Sequence, residues 1–339
     1  MKISPGVVVA LLLGACLSPI PGLSLPRPPT EGPTQPPSAS APPGRDHRSS
    51  VQTPLEIPSQ GPVPGVSATP SLPAASPGCG GPSGLSEILQ SVVSSAPPGE
   101  WEVYLHDLEG GTIVNVGADQ PLHPASTIKV AIAIAFLRWS ESQPGFRWTS
   151  GPVAHQRSFE QLLRAMVVIS EEDATASLTD FLMQQEKIDL NREVQSWGAT
   201  QTTVVPRSST AQDLGLILER LAEGELLSPA GTDYLLGLMR TPTPSKETRL
   251  GAGLPVGPRN LLAHKTGTTF EQGLGVVADT GYVQWQGARY VIVVLSNRVP
   301  WVDYSSAMAL ITEISQVAFA CLVPGGSGLI SPHRGGPAP

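Results

Sequence analysis

The sequence predicts an α+β fold in which one antiparallel sheet is packed by terminal helices and an all-helical lobe is inserted between its strands. Segments that alternate apolar and polar residues, as strands do, occur in two groups, at residues 101–116 and 261–295. Between these groups the apolar residues have helical spacing, and further helical patterns flank both ends. We therefore expect a cleft where the helical lobe meets the sheet.

The individual elements follow from their spacing and from the residues that start or stop them. The apolar stripe from Leu85 to Val92 predicts a first helix, which ends before Pro97. Ser158 and Gln161 have the spacing of a helix capping box. The remaining elements are predicted as strands at 101–106, 112–116, 261–266, 275–285 and 289–295, helices after Ser126, Ser170, Thr210 and Ser228, and a last helix from about Asp303 to Leu322.

The N-terminal quarter of the chain differs in composition from the rest. Residues 1–25 have a lysine followed by a short apolar run, the pattern of an export signal. Cys16 ends that run after small residues and resembles the lipidated cysteine of bacterial lipoproteins, although ordinary cleavage that discards Cys16 is the alternative. Residues 26–83 are rich in Pro, Ser and Gly and predict a disordered tether. We expect a folded domain at 84–323 and a flexible tail at 324–339.

Charge and cysteine content restrict the partners that the chain could have. The net charge is −7 and only 14% of residues are charged, without a basic stripe, so nucleic acid is not an expected partner. The histidines at 106, 123, 155 and 264 have no metal-ligand spacing, and we expect no metal or other cofactor. Cys79 and Cys321 flank the predicted domain, and export would permit a disulfide between them.

Ser126 and Lys129 are the first candidate catalytic pair. They lie three residues apart at the start of the apolar run from Ala131 to Leu137, so that on a helix they share one face. A serine hydroxyl is a weak nucleophile, and a lysine amine kept neutral by burial could accept its proton. The alternative interpretation is a lysine at the start of a core helix that lies near an unrelated serine.

Two further motifs occur in a matching order. Ser170-Glu171-Glu172 precedes a helix, and Lys265-Thr266-Gly267 lies on a predicted strand. The series Ser-x-x-Lys, Ser-Asp-Asn, Lys-Thr-Gly is typical of penicillin-recognising serine enzymes, and the chain resembles the class A β-lactamases from about Leu85 to Leu322. Each motif also has a structural interpretation, such as Ser170 acting as a helix N-cap before an acidic first turn.

The resemblance implies a role for each matching residue. Ser126 would be the nucleophile, Lys129 would assist it as a base, and Ser170 would pass a proton to the leaving nitrogen. Lys265 and Thr266 would hold a substrate carboxylate, and Gly267 would let the substrate approach the strand closely. The backbone N–H groups of Ser126 and Thr268 would bind the oxyanion.

The match departs from the family at two places. Glu172 replaces an asparagine that would contact the substrate, and a carboxylate would repel a substrate carbonyl and favour the charged form of Lys129. Class A enzymes also activate the hydrolytic water with a loop glutamate, followed four residues later by an asparagine. Glu186 and Glu193 are the nearest candidates but lack that asparagine, and residues 199–208 contain no acid. We expect slow hydrolysis of any acyl-enzyme.

Three functions remain open at this point. The first is an exported, lipid-anchored serine hydrolase of class A β-lactamase type, which faces the periplasm or the cell exterior and acts on β-lactams or peptidoglycan peptides. The second is a catalytically inactive domain that binds a ligand in the cell envelope, as Glu172 and the missing loop acid suggest. The third is a carboxypeptidase-like enzyme that releases D-alanine from peptidoglycan stem peptides.

Overall fold

The structure is a computed structural model and describes residues 79–117, 120–146, 156–244 and 247–329. The predicted signal segment with Cys16, the predicted tether up to residue 78, His155 and the tail from residue 330 lie outside this part of the chain. Within it, the predicted helices and strands occur in the predicted order, and the α+β fold with an inserted helical lobe is confirmed.

In the described part of the chain the sheet has six strands, and all paired strands are antiparallel. The order across the sheet is β2-β1-β5-β4-β3, with β6 paired to one end of β4, so β3 is an edge strand. The strands are β1 (Glu100–Asp107), β2 (Ile113–Val116), β3 (Ala263–Glu271), β4 (Leu274–Trp285), β5 (Ala288–Asn297) and β6 (Val299–Pro300).

Ten α-helices are described, and most of them lie between β2 and β3 in the chain. The helices are α1 (Gly81–Ser94), α2 (Lys129–Glu141), α3 (Phe159–Val168), α4 (Glu172–Asp180), α5 (Leu190–Ser196), α6 (Ala211–Ala222), α7 (Pro229–Arg240), α8 (Val256–Arg259), α9 (Tyr304–Leu322) and α10 (Gly326–Leu329). The predicted capping box opens α3, where Ser158 accepts from the Gln161 backbone and Gln161 accepts in return.

Both faces of the sheet are covered, and this explains the continuous apolar sequence of β5. Its residues Ile292 and Val294 pack with α1 and α9, whereas Val291, Val293 and Leu295 pack with the helical lobe. In the lobe, α2 is buried on nearly every side, as a helix without a polar face should be. The helical stretch Trp301–Leu322 is long and apolar enough to cross a membrane by those criteria alone, but many of its apolar side chains, such as Ile311, Ile314 and Phe319, form part of this core.

Several details differ from the sequence-based expectations. Residues 242–260, for which the sequence predicts neither a helix nor a strand, contain a 3₁₀ turn at Gly251–Gly253 and helix α8. A π-helical segment, Phe181–Gln185, extends α4, and β3 continues to Glu271, where it pairs with Leu274 at the start of β4. Helix α10 begins at Gly326, within the stretch that was assigned to the tail. These features depend on tertiary packing, which the spacing of apolar residues does not report.

The ends of the folded domain are joined covalently. Cys79 precedes α1, Cys321 lies in the last turn of α9, and the two form a disulfide. The pairing that the sequence allowed is therefore present. It closes a loop that includes every strand of the sheet and the whole helical lobe.

Candidate active site

Ser126 lies on a tight turn and not on an α-helix. Residues Ala125–Ile128 form a 3₁₀ helix, and the helix predicted after Ser126 is α2, which begins at Lys129. The turn starts with Ala125 in a left-handed conformation (φ 48°), and the Thr127 hydroxyl donates to the Pro124 carbonyl at 2.6 Å. Residues three apart eclipse one another in a 3₁₀ helix, so Ser126 and Lys129 still project to the same side.

Lys129 is fully buried and donates to three oxygen atoms from the lobe. Its Nζ lies 2.7 Å from the Ser170 carbonyl oxygen, 3.3 Å from the Ser170 Oγ and 2.6 Å from Glu172 Oε1. Burial lowers the pKa of the Lys129 amine, and the neighbouring Arg207 charge lowers it further, whereas the hydrogen bond and charge of Glu172 raise it. The net direction is downward, which favours the neutral amine.

Ser170 lies between the two lysines and does not cap a helix. The N-cap residue of α4 is Glu171, so the interpretation of Ser170 as an N-cap is wrong. Ser170 has a left-handed backbone (φ 63°), and both its carbonyl and its hydroxyl accept hydrogen bonds from Lys129. Its hydroxyl also accepts from Lys265 Nζ at 2.8 Å. One hydroxyl therefore connects the first and third sequence motifs.

The third motif lies on β3, which packs directly against the serine turn. A Cβ atom at Gly267 would lie 2.9 Å from the Pro124 carbonyl oxygen and 3.2 Å from the Ala125 Cβ. Glycine is therefore required at this position for contact between strand and turn. Lys265 is buried and also donates to the Thr266 carbonyl at 3.1 Å. The proposed oxyanion hole from the Ser126 and Thr268 backbone stays a prediction.

Glu172 is held between two cations and also contacts the serine. Its Oε1 accepts from Lys129 at 2.6 Å and from the Ser126 hydroxyl at 3.5 Å, and its Oε2 accepts from Arg207 at 2.7 Å. Partial burial alone would raise the pKa of Glu172, but the hydrogen bonds from Arg207 and Lys129 lower it to about 2. Glu172 is therefore ionised at neutral pH. The Ser126 hydroxyl and the Lys129 amine meet at the same carboxylate oxygen.

Arg249 is a candidate functional residue that the sequence reasoning missed. Its buried guanidinium donates to the Gly267 and Ala278 carbonyls at 3.3 and 3.0 Å, and it also donates to the Thr268 hydroxyl and to Tyr304. It places a positive charge beside the strand that carries Lys265. No sequence motif indicated this position, because Arg249 comes from the irregular segment before β3.

The two other candidate acids are bound to residues outside the group around Ser126. Glu186 accepts a hydrogen bond from Trp139, and Glu193 pairs with Arg138 at 3.0 Å. Among the described residues, Glu172 is the carboxylate that contacts both Ser126 and Lys129. Nor do three His, Cys, Asp or Glu side chains gather anywhere in the described ranges in a way that could hold a metal ion.

The fold and the grouped serine and lysine side chains are those of the penicillin-recognising serine hydrolases. The chain belongs to the Beta-lactamase enzyme family, which matches residues 84–322. This match covers more than half of the chain and confirms the resemblance that the three motifs indicated.

Solved structures support the same assignment. The chain is similar to PBP-A, at 28% identity over 69% of this chain and 93% of that one, with a TM-score of 0.57. It is also similar to a PBP-A variant seen as an acyl-enzyme complex with penicillin G, at 29% identity over 69% and 94% of the two chains and a TM-score of 0.58. A beta-lactamase from Chitinophaga pinensis shares the fold, at 19% identity over 69% and 97% and a TM-score of 0.59. None of the curated proteins compared with the chain matches it.

Proposed function

We propose that this protein forms an acyl-enzyme at Ser126 with β-lactams, or with related peptide or ester carbonyls, and releases the acyl group slowly. The observation that carries the proposal is the convergence of Ser126, Lys129, Ser170 and Lys265 through hydrogen bonds of 3.5 Å or less, with Glu172 as the link to the serine. The PBP-A variant bound to penicillin G adds support, because a similar fold there carries an acyl group.

The contacts supply a complete path for one proton. As Ser126 Oγ bonds to the carbonyl carbon, its proton passes to a Lys129 amine that has lost its own proton, by way of Glu172 Oε1, which both groups contact. When the carbon–nitrogen bond breaks, the Ser170 hydroxyl gives its proton to the leaving nitrogen and regains one from the Lys129 ammonium at 3.3 Å. The Lys129 amine accepts one proton and gives one back, so it ends the cycle in the form in which it began. Lys265 orients the Ser170 hydroxyl and, with Arg249, offers positive charge to a substrate carboxylate.

Hydrolysis of the acyl-enzyme needs a carboxylate that can accept a proton from water. Both oxygens of Glu172 are occupied by cations, and a carboxylate with a pKa of about 2 is a poor base at neutral pH. Glu186 and Glu193 are bound elsewhere, and residues 199–208 contain no acid. We infer a long-lived acyl-enzyme, more typical of a penicillin-binding protein than of an efficient β-lactamase.

Intact-mass measurement of the full chain after incubation with benzylpenicillin tests the acylation. We expect a mass increase equal to the whole penicillin, because ring opening loses no atoms. Ser126→Ala should give no adduct, and Ser142→Ala, an exposed serine at the end of α2, should react normally. If the wild-type chain reacts with no lactam or ester probe, the proposal is wrong, and the alternative of a catalytically inactive binding domain is favoured.

The same preparation separates the peptidase alternative. A peptide ending in D-Ala-D-Ala would release D-alanine if the carboxypeptidase-like function holds, and this release should be lost in Ser126→Ala. Adduct formation without D-alanine release would leave a penicillin-binding function only.

We also propose that the protein is exported and anchored through Cys16. The Cys79–Cys321 disulfide supports export, because such bonds persist in oxidising compartments. In cell fractionation, the wild-type protein should remain with the membrane and Cys16→Ser should be released. Equal distribution of the two proteins would contradict the anchor.

A further inference from the structure

Arg207 reaches the candidate active site from the loop between α5 and α6. Its guanidinium donates to Glu172 Oε2 at 2.7 Å, while Lys129 holds the other oxygen, Oε1, at 2.6 Å. The two cations therefore share one carboxylate, with one oxygen each. This is the same loop that contains no acid, so it contributes a positive charge at the place where hydrolysis would need a negative one.

The loop that carries Arg207 is held in place from two directions. Thr203 and Ser208 exchange backbone hydrogen bonds of 2.8 and 3.0 Å, which close the loop around Arg207. The Asn191 side chain in α5 accepts from the Val204 backbone at 2.7 Å and so ties the loop to the lobe. A further pair of backbone bonds joins Ser209 to Leu122, which precedes the serine turn. Arg207 is thus presented by an ordered segment linked to the element that bears Ser126.

We propose that Arg207 is a positioning residue for acyl transfer: by binding the second oxygen of Glu172, it weakens the hold of that carboxylate on Lys129 and leaves the amine able to accept the Ser126 proton. The inference rests on the function proposed above. It also explains how the site can tolerate a glutamate at position 172, because the loop supplies the compensating charge.

The charges around Lys129 determine the direction of the effect. Glu172 faces it from α4, Arg207 lies behind Glu172 on the loop, and Lys265 faces it from β3 across the Ser170 hydroxyl. His123 lies on the segment before the serine turn, and its pKa is lowered by burial and by the charge of Arg207. The positive charge of Arg207 therefore also acts on that segment. Loss of Arg207 removes a nearby positive charge and leaves Glu172 to pair with Lys129 alone. Both changes favour the ammonium form of the lysine.

A direct titration of Lys129 tests the proposal without relying on activity. The chain has five lysines, so ¹³C labelling at the lysine ε carbons gives few NMR signals, and Lys129→Arg identifies the relevant one. We expect Arg207→Gln to raise the titration midpoint of the Lys129 amine by about one pH unit and Glu172→Gln to lower that midpoint. Arg207→Lys should stay close to wild type. Arg192→Gln, an exposed cation on α5, serves as the control and should change nothing.

Acylation rates over the same pH range provide the functional measurement. The rate should rise with pH as Lys129 loses its proton, and Arg207→Gln should move that rise to higher pH and slow acylation about 10-fold at pH 7. In a Glu172→Gln background the effect of Arg207→Gln should be smaller, because part of it passes through the carboxylate.

Other outcomes would overturn the inference. An unmoved midpoint in Arg207→Gln would mean that the arginine only supports the loop. A lowered titration midpoint of Lys129 in this variant would mean that Arg207 strengthens the interaction of Glu172 with the lysine. If the NMR midpoints shift as expected but the wild-type chain forms no adduct, the proposed function fails and the electrostatic coupling stands.

Discussion

Lys265 and Arg249, on the sheet side of the candidate active site, are buried and donate to main-chain carbonyl groups. Glu172 and Arg207, on the lobe side, have side chains that are 60% and 26% exposed, and they contact other side chains. On the sheet side, hydrogen bonds to the backbone of β3 and β4 hold the two cationic side chains in position. On the lobe side, the carboxylate and the guanidinium are held in position by the ion pair between them. We therefore expect substitutions on the sheet side to remove substrate binding and those on the lobe side to adjust proton affinity.

The largest effect is expected for Arg249→Gln on the sheet side. In the proposed function Arg249 offers its positive charge to the substrate carboxylate, and if a charge-assisted interaction of about 1.5–3 kcal/mol is lost, acylation by benzylpenicillin should fall about 10- to 100-fold. The methyl ester of the same penicillin, which lacks the carboxylate, should lose little. Stopped-flow or quenched mass measurements with both compounds check this. Equal loss with acid and ester would indicate a structural role for Arg249.

A smaller effect of opposite sign is expected for Glu172→Asn on the lobe side. The neutral amide can donate to a substrate carbonyl, and Lys129 loses the carboxylate that favours its charged form. Acylation at neutral pH should become about 10-fold faster, whereas the lifetime of the adduct should stay within a few-fold, since the loop still lacks an acid. The two rates can be followed by mass on one sample. A much longer lifetime would show instead that Glu172 itself activates the hydrolytic water.

The smallest effect on acylation is expected for removal of the disulfide, which lies outside both sides of the site. Cys79→Ser with Cys321→Ser frees a long loop in the unfolded chain and should lower the free energy of unfolding by about 2–4 kcal/mol. Thermal melting and denaturant titration measure this loss. Acylation at temperatures well below the melting transition should equal that of the wild type, and a slower reaction would mean that the ends of the domain influence the site.

Most of the fold could be predicted from the sequence, because the apolar pattern of strands and the apolar pattern of helices occupy different parts of the chain. Period-two segments marked β1, β2, β4 and β5, and capping residues such as Ser158 marked the starts of helices. The 3₁₀ turn at Ser126 and the π-helical segment after α4 could not be predicted. Local apolar spacing is similar in α, 3₁₀ and π helices, and tertiary packing decides among them.

Only the residues of the candidate site that belong to sequence motifs could be predicted, because irregular segments carry no comparable pattern. Ser126, Lys129, Ser170 and Lys265 belong to motifs on regular elements, and the structure brings them together. Arg207 and Arg249 come from irregular segments, where a side chain's direction depends on contacts such as the one between Thr203 and Ser208. Residues 199–208 contain no acid, and the family pattern gives no role to the arginine among them. The sequence signal for Arg207 is the presence of a cation in this loop together with the unusual carboxylate at position 172.

The covalent link between Cys79 and Cys321 also determines how mechanical load would enter this domain. A pull through the residues that precede Cys79 is transmitted across the sulfur bridge to the end of α9, the long helix packed along the sheet. Helix α1 is thereby bypassed and cannot be peeled away first. We expect the oxidised domain to resist extension from its N-terminal side as a single unit, and the reduced domain to yield at α1 under a much smaller force.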